Sequence, residues 1–257
     1  MDILEELSAA RRADARENEK RMSFQALEKR IASLPPTRDF RAAFVPGRVN
    51  VIAEVKKASP SEGVIREDFD PEAIVRAYDA NGAAALSILC EPHRFLGSEE
   101  YLRRARGLTE RPLLYKDFLT TEYQLLAARA AGADACLLIA ATLDDRALSR
   151  LLRFAGSISL AALVETHTAG EIRRALDAGA EIVGVNCRDL RTFRTDPAIT
   201  AELVAQLPAT VLKIAESGIR NRADIARLRE AGADGFLIGT ALMRAENPGE
   251  KLKEIMQ

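Results

Sequence analysis

A single-domain (β/α)₈ barrel behind an N-terminal helical extension is the fold that this 257-residue sequence predicts. Three observations carry it. From residue 49 onward, eight short apolar runs alternate with amphipathic stretches. The tripeptides Asn81-Gly82-Ala83, Ala131-Gly132-Ala133, Ala178-Gly179-Ala180 and Ala231-Gly232-Ala233 each close an amphipathic stretch and open an apolar run, at glycine spacings of 50, 47 and 53 residues. Each period holds two strand–helix units, so the four repeats account for eight. Glycine just past a helix end supplies the left-handed C-cap position. Finally, barrels of this type run to about 250 residues as one domain. A doubly wound sheet is the competing arrangement, and fourfold periodicity favours closure over it.

Residues 2 to about 34 read as one charged helix, with Phe24, Leu27, Ile31 and Leu34 at helical spacing in its second part. Pro35-Pro36 stops it. Residues 1–48 are expected to pack on the barrel as a cap rather than to serve as a partner-binding arm, with the barrel itself spanning 49–257. The strands are expected at Val49–Lys56, Ala84–Leu89, Leu113–Phe118, Ala135–Ala140, Leu160–Glu165, Ile182–Asn186, Val211–Glu216 and Gly235–Gly239. Between strand 1 and the next helix signal lies a loop of about a dozen residues, long enough to suggest function. Asp70-Pro71, Asp196-Pro197 and Asn247-Pro248 place an Asx cap ahead of proline in a first turn. Thr168 and Glu171 have capping-box spacing.

A content of 47% hydrophobic and 29% charged residues is that of a globular chain with ample core, and a net charge of −1 offers nucleic acid no basic surface. Cys90, Cys136 and Cys187 lie far apart in or beside apolar runs, which predicts reduced thiols and a cytoplasmic location. With two histidines and no Cys/His cluster, no metal site is expected. No apolar stretch nears the ~18 residues of a membrane span, and the charged start is not a secretory signal.

In such a barrel the active site forms at the C-terminal strand ends. Those ends carry Glu54 and Lys56 on strand 1, Lys116 on strand 3, Glu165 on strand 5 and Glu216 on strand 7, with Asn186 on strand 6. The five charges are all on odd strands, and alternate strands fill common layers, so they are expected to converge over the mouth. Any one of them alone could be a solvated strand-end residue or a structural ion pair. After strand 7 comes Ser217-Gly218, and strand 8 ends in Gly239-Thr240, where backbone N–H groups commonly hold a phosphate. Phe95, Phe118, Leu137, Ile139 and Leu190 form a candidate apolar wall for a flat ring.

These residues give the chain a close resemblance to the indole-3-glycerol phosphate synthase family. It rests on Ile52-Ala53-Glu54-Val55-Lys56 with Ser59-Pro60-Ser61, Lys116-Asp117-Phe118, Leu163-Val164-Glu165, Asn186-Cys187-Arg188-Asp189-Leu190, Glu216-Ser217-Gly218-Ile219 and Leu237-Ile238-Gly239-Thr240. Thr240 replaces the family's usual serine, and Cys187 stands where the family varies. The resemblance implies decarboxylating ring closure and dehydration of 1-(2-carboxyphenylamino)-1-deoxyribulose 5-phosphate, without metal or organic cofactor. It implies catalytic roles for Lys116, Glu165, Lys56, Glu54 and Asn186. Substrate contacts are implied at Ser59, Phe95, Phe118, Leu137, Ile139, Arg188, Leu190, Glu216, Ser217, Gly218, Leu237, Gly239 and Thr240. The expected partner is this phosphosugar–anthranilate substrate, bound by a monomer open to contact with neighbouring tryptophan-pathway enzymes, with no nucleic acid and no membrane. Other phosphosugar barrels, a pathway isomerase or a Schiff-base aldolase using Lys116, are the rival readings, along with a barrel that only binds. Within its own strand Lys116 has no same-face partner, which predicts a proton that is easily given up. Lys56 shares a face with Glu54 and is expected to position the substrate carboxylate.

Overall fold

The computed structural model describes residues 3–186, 188 and 197–257; Cys187, Leu190 and Asp196 lie outside these. Eight parallel strands close into a barrel: β1 Val51–Val55, β2 Ala85–Leu89, β3 Leu113–Lys116, β4 Ala135–Ile139, β5 Ala161–Thr166, β6 Ile182–Asn186, β7 Leu212–Glu216 and β8 Gly235–Ile238, with β8 pairing back onto β1. Every expected strand is present, trimmed by at most two residues at either end except for a one-residue extension of β5. The four repeat glycines hold φ values of 83°, 101°, 88° and 96°. The alanine after each donates its N–H back five residues, as Ala133 does to Ala128 (3.1 Å). These are Schellman caps, and they turn each helix into the next strand.

Helices α1 Ile3–Arg21 and α2 Phe24–Ala32 precede the barrel. The single helix expected here is therefore two. Ser23 breaks it by capping α2, its Oγ accepting from the Ala26 N–H at 3.2 Å. Around the barrel follow α3 Pro71–Ala80, α4 Glu99–Arg106, α5 Glu122–Ala130, α6 Asp145–Ser157, α7 Ala169–Asp177, α8 Pro197–Ala205, α9 Arg222–Glu230, the single turn α10 Thr240–Met243 and α11 Pro248–Met256. Asp70 and Asn247 cap as predicted. Thr168 accepts from the Glu171 N–H, but the Glu171 carboxylate reaches the His167 N–H instead of returning to Thr168. The loop after β1 contains a small hairpin, Ala58–Ser59 with Gly63–Val64, which alternation over so short a span could not reveal.

One core lies between strands and helices, and a second fills the barrel. At the closed end Phe40 and Phe44 pack against each other (centroids 5.5 Å apart) over Gly235, where a Cβ would collide with the Phe44 ring. At the other end Leu4 and Leu7 of α1 join Phe118, Leu137 and Ile139 in the interior cluster. The α2 stripe of Phe24, Leu27 and Ile31 meets Leu126 and Ala130 of α5.

Arg11 clamps α1 to the rim with a fork on Asp117, Nε to Oδ1 at 2.9 Å and Nη2 to Oδ2 at 2.7 Å. The Asp117 side chain is fully buried. Burial pushes its carboxyl above the usual range even against the attraction of Arg11. As a unit the pair is close to break-even, but Arg11→Ala would leave a buried carboxylate unpaired. Denaturant unfolding should show a loss of about 3–5 kcal/mol; a loss within 1 kcal/mol would mean that α1 is not held this way.

Candidate active site

The strand ends at the α1-covered mouth enclose a cavity of about 510 Å³. Alternation aims every second side chain inward: Glu54 from β1 with Lys56 just beyond its end, Lys116 from β3, Glu165 from β5, Asn186 from β6 and Glu216 from β7. All six line the cavity. Lys56 pairs with Glu54 at 2.7 Å, and Lys116 with Glu216 at 2.8 Å and Glu165 at 3.4 Å. The register sets Asn186 beside Glu216 on adjoining strands.

Lys116 is therefore not alone. Its own strand offers no partner, but carboxylates from β5 and β7 reach it across the barrel. Burial works to strip its proton, yet Glu216, Glu165 and Glu54 outweigh burial and raise its pKa above that of an ordinary lysine. The expectation of an easily released proton is corrected. Glu165 and Glu54 are likewise resisted by burial but held below the usual carboxyl range, Glu165 by Lys116 and His167, Glu54 by Lys56 and Lys116. Glu216 goes the other way: burial and the Glu165 charge outweigh Lys116 and push it up to about 7. Of the three carboxylates, Glu216 is therefore the one that holds its proton to higher pH.

Two glycines make room for this ring. A Cβ on Gly184 would fall onto Glu216 Oε1, and one on Gly239 onto Glu54 Oε1. Gly239 thus serves the charged cluster as well as any ligand at the β8 end.

Glu216 makes one pH-dependent prediction. Its folded value lies above that of an exposed carboxyl, so its contribution to stability is present at low pH and is lost as pH rises through about 7. Relative to the parent, Glu216→Gln should gain unfolding free energy between pH 5 and 8, approaching roughly 3 kcal/mol. A difference independent of pH would contradict the assignment.

Every other predicted contact within the described residues also borders the cavity. Phe95 and Phe118 (centroids 6.2 Å apart) with Leu137, Ile139 and Leu237 form an apolar side. Ser59, Ser217, Gly218, Gly239 and Thr240 lie on the polar rim, where the Arg188 guanidinium donates to Ser61 Oγ at 2.6 Å. Ser217 has a φ of 64°, a left-handed strain rare outside glycine and typical of sites that use it. The predicted contact at Leu190 lies outside the described residues.

Several contributors escaped the sequence reading. Ile3, Leu4 and Leu7 line the apolar side, and Arg220 and Arg244 stand at the polar rim. Arg244 pairs with Glu62 of the hairpin turn. Four residues after Thr240, it could have been found by helical spacing from the rim hydroxyl. Nothing in an amphipathic charged helix marks Leu4 and Leu7 as lining.

Fold and mouth together define the class: a (β/α)₈ barrel whose mouth sets paired acids and bases between an apolar side and a polar rim. Among solved structures the chain superposes on 3-hexulose-6-phosphate synthase from Salmonella typhimurium (TM-score 0.66, 14% identity, 81% of this chain and 97% of that one). It also superposes on a thiamine phosphate pyrophosphorylase from Pyrococcus furiosus (TM-score 0.62, 17% identity, 84% and 96%). At such identities these show the fold. Sequence relatives are far nearer: the indole-3-glycerol phosphate synthase of Acidithiobacillus ferrooxidans is 45% identical over 99% of this chain and 98% of its own. That of Campylobacter jejuni is 44% identical over 99% and 100%. The indole-3-glycerol phosphate synthase family profile matches residues 4–255, and the chain belongs to that family.

Proposed function

We propose that the charged ring at the strand ends carries out the family's reaction, each residue in a role set by its neighbours. The chain catalyses the indole-3-glycerol phosphate synthase reaction, a carboxy-lyase step of tryptophan biosynthesis. Its substrate is 1-(2-carboxyphenylamino)-1-deoxyribulose 5-phosphate, and its products are indole-3-glycerol phosphate, carbon dioxide and water.

The ring carbon that bears the carboxylate attacks the ribulose ketone. A carbon–carbon bond forms and the ketone oxygen takes up the electron pair. Lys116, held charged by its carboxylates, stabilises that oxygen and donates its proton. Glu216, protonated near neutrality and 2.8 Å away, can resupply it. Carbon dioxide leaves and the ring regains aromaticity. The new hydroxyl then departs as water: Glu165, supported by Glu54, takes the proton from the neighbouring carbon and passes it to the leaving oxygen. Lys56 faces the substrate carboxylate, Asn186 orients a sugar hydroxyl, and Arg188 steadies the polar rim. The ring rests among Phe95, Phe118, Leu137, Ile139 and Leu237, and the phosphate at Ser217, Gly218, Gly239 and Thr240. The observation that carries this reading is the Lys116–Glu216–Glu165 cluster set between an apolar side and a glycine-rich rim.

The enzyme works as a monomer, and in the cytoplasm, a location that the buried free thiols of Cys90 and Cys136 support. No helix among the described residues is long and apolar enough to cross a membrane.

Because lysines supply the positive charge, turnover should be undiminished in EDTA. Indole fluorescence, followed after the substrate is added to purified protein, should rise equally with and without chelator. Activity that collapses and returns with a divalent ion would refute the roles given to Lys116 and Lys56. Borohydride trapping of a lysine adduct would point to Schiff-base chemistry instead.

A further inference from the structure

His167 sits immediately beyond β5, two residues from Glu165 and inward-facing like it. Its ring is 15% exposed and lies between two carboxylates: Nε2 is 3.4 Å from Glu165 Oε1, and Nδ1 is 3.3 Å from Glu171 Oε2. Glu171 is fixed from two sides. Its Oε2 accepts the His167 backbone N–H at 2.8 Å, and its own N–H is capped by Thr168 Oγ1 at 3.1 Å. Nε2 has no hydrogen-bond partner although it is buried. A neutral ring donating from Nδ1 to Glu171 would turn a bare lone pair on Nε2 toward the Glu165 oxygen. Only the imidazolium offers a proton to both carboxylates.

We propose that His167 is a positioning residue that, as an imidazolium anchored by Glu171, holds Glu165 through Oε1 and keeps it the unprotonated member of the Glu165–Glu216 pair. The two oxygens of Glu165 are then divided, Oε1 to His167 and Oε2 to Lys116. Glu216 Oε1 is buried and has no hydrogen-bond partner, so the shared proton has its place there. The charged groups facing the imidazole among the described residues are Glu165 from β5, Glu171 from α7 and Glu216 from β7. Burial acts against the imidazolium, and these three carboxylates reverse that and raise its pKa. The role deepens the proposed function and rests on Glu165 being the base for water loss.

The chain has two histidines, so the imidazole region of a nitrogen-15 spectrum can be assigned with one His93→Gln variant. At pH 7 the His167 ring nitrogens should show imidazolium shifts, and Glu165→Gln should lower the pH at which they titrate. In His167→Gln the acidic limb of kcat/KM should move upward by about one pH unit, because Glu165 then holds its proton more firmly. Glu171→Gln should move it the same way by less, with KM little changed in both. A neutral His167 ring at pH 7 overturns the proposal, as does an acidic limb that coincides with the parent's while kcat falls. If His167→Gln does not fold, Glu171→Gln and the parent spectrum decide. Should Glu165→Gln keep full turnover, the base assignment fails, while the spectrum still reports on the imidazolium.

Discussion

Lys116→Ala should lower kcat by about 10²- to 10⁴-fold, the usual cost of removing a general acid. Lys116 is the sole cation in contact with both Glu165 and Glu216 among the described residues. Removing it takes away the donor to the nascent oxygen and leaves buried Glu216 without its counter-charge and Glu165 with His167 alone. Those carboxyls will then retain protons to higher pH, so the variant should also show an acidic limb displaced upward. Lys116→Arg tests position as well: the guanidinium keeps the charge but does not release its proton, so little activity should return. KM should change little in either variant. A large KM increase with unchanged kcat would make Lys116 a binding group.

Glu165→Gln should likewise cost about 10²- to 10⁴-fold in kcat, but at a later step. The amide preserves size and a contact to Lys116 while removing the base. The Glu216 proton then loses the neighbouring charge that favours it, so Glu216 should ionise at lower pH in this variant. Accumulation of a cyclised, decarboxylated species would mark the step that Glu165 serves. Full turnover would remove Glu165 from the mechanism.

The barrel could be read from the sequence because its signals are local. Gly82, Gly132, Gly179 and Gly232 mark helix ends through a backbone conformation that few other residues adopt. The inward aim of Glu54, Lys56, Lys116, Glu165 and Glu216 follows from alternation once the strands are placed. Partners across the barrel are a different matter. Glu216 reaches Lys116 over a separation of 100 residues, and no pattern within either strand encodes that distance. For this reason Lys116 looked solitary and is in fact surrounded. Ser23 was a weak break in a strongly helical composition, and Leu4 and Leu7 were too few to mark a docking face. Nothing around Gly184 in the sequence marks that Glu216 occupies the space of its missing Cβ.

The order of chemical steps is the centre of this account, and one measurement reaches it directly. In single-turnover rapid quench, release of labelled carbon dioxide reports ring closure and indole formation reports water loss. Lys116→Ala should slow both signals together, because closure comes first, whereas Glu165→Gln should release carbon dioxide at near the parental rate and delay only the indole. Parental carbon dioxide release from Lys116→Ala with indole formation stalled would contradict the assignment and exchange the two roles.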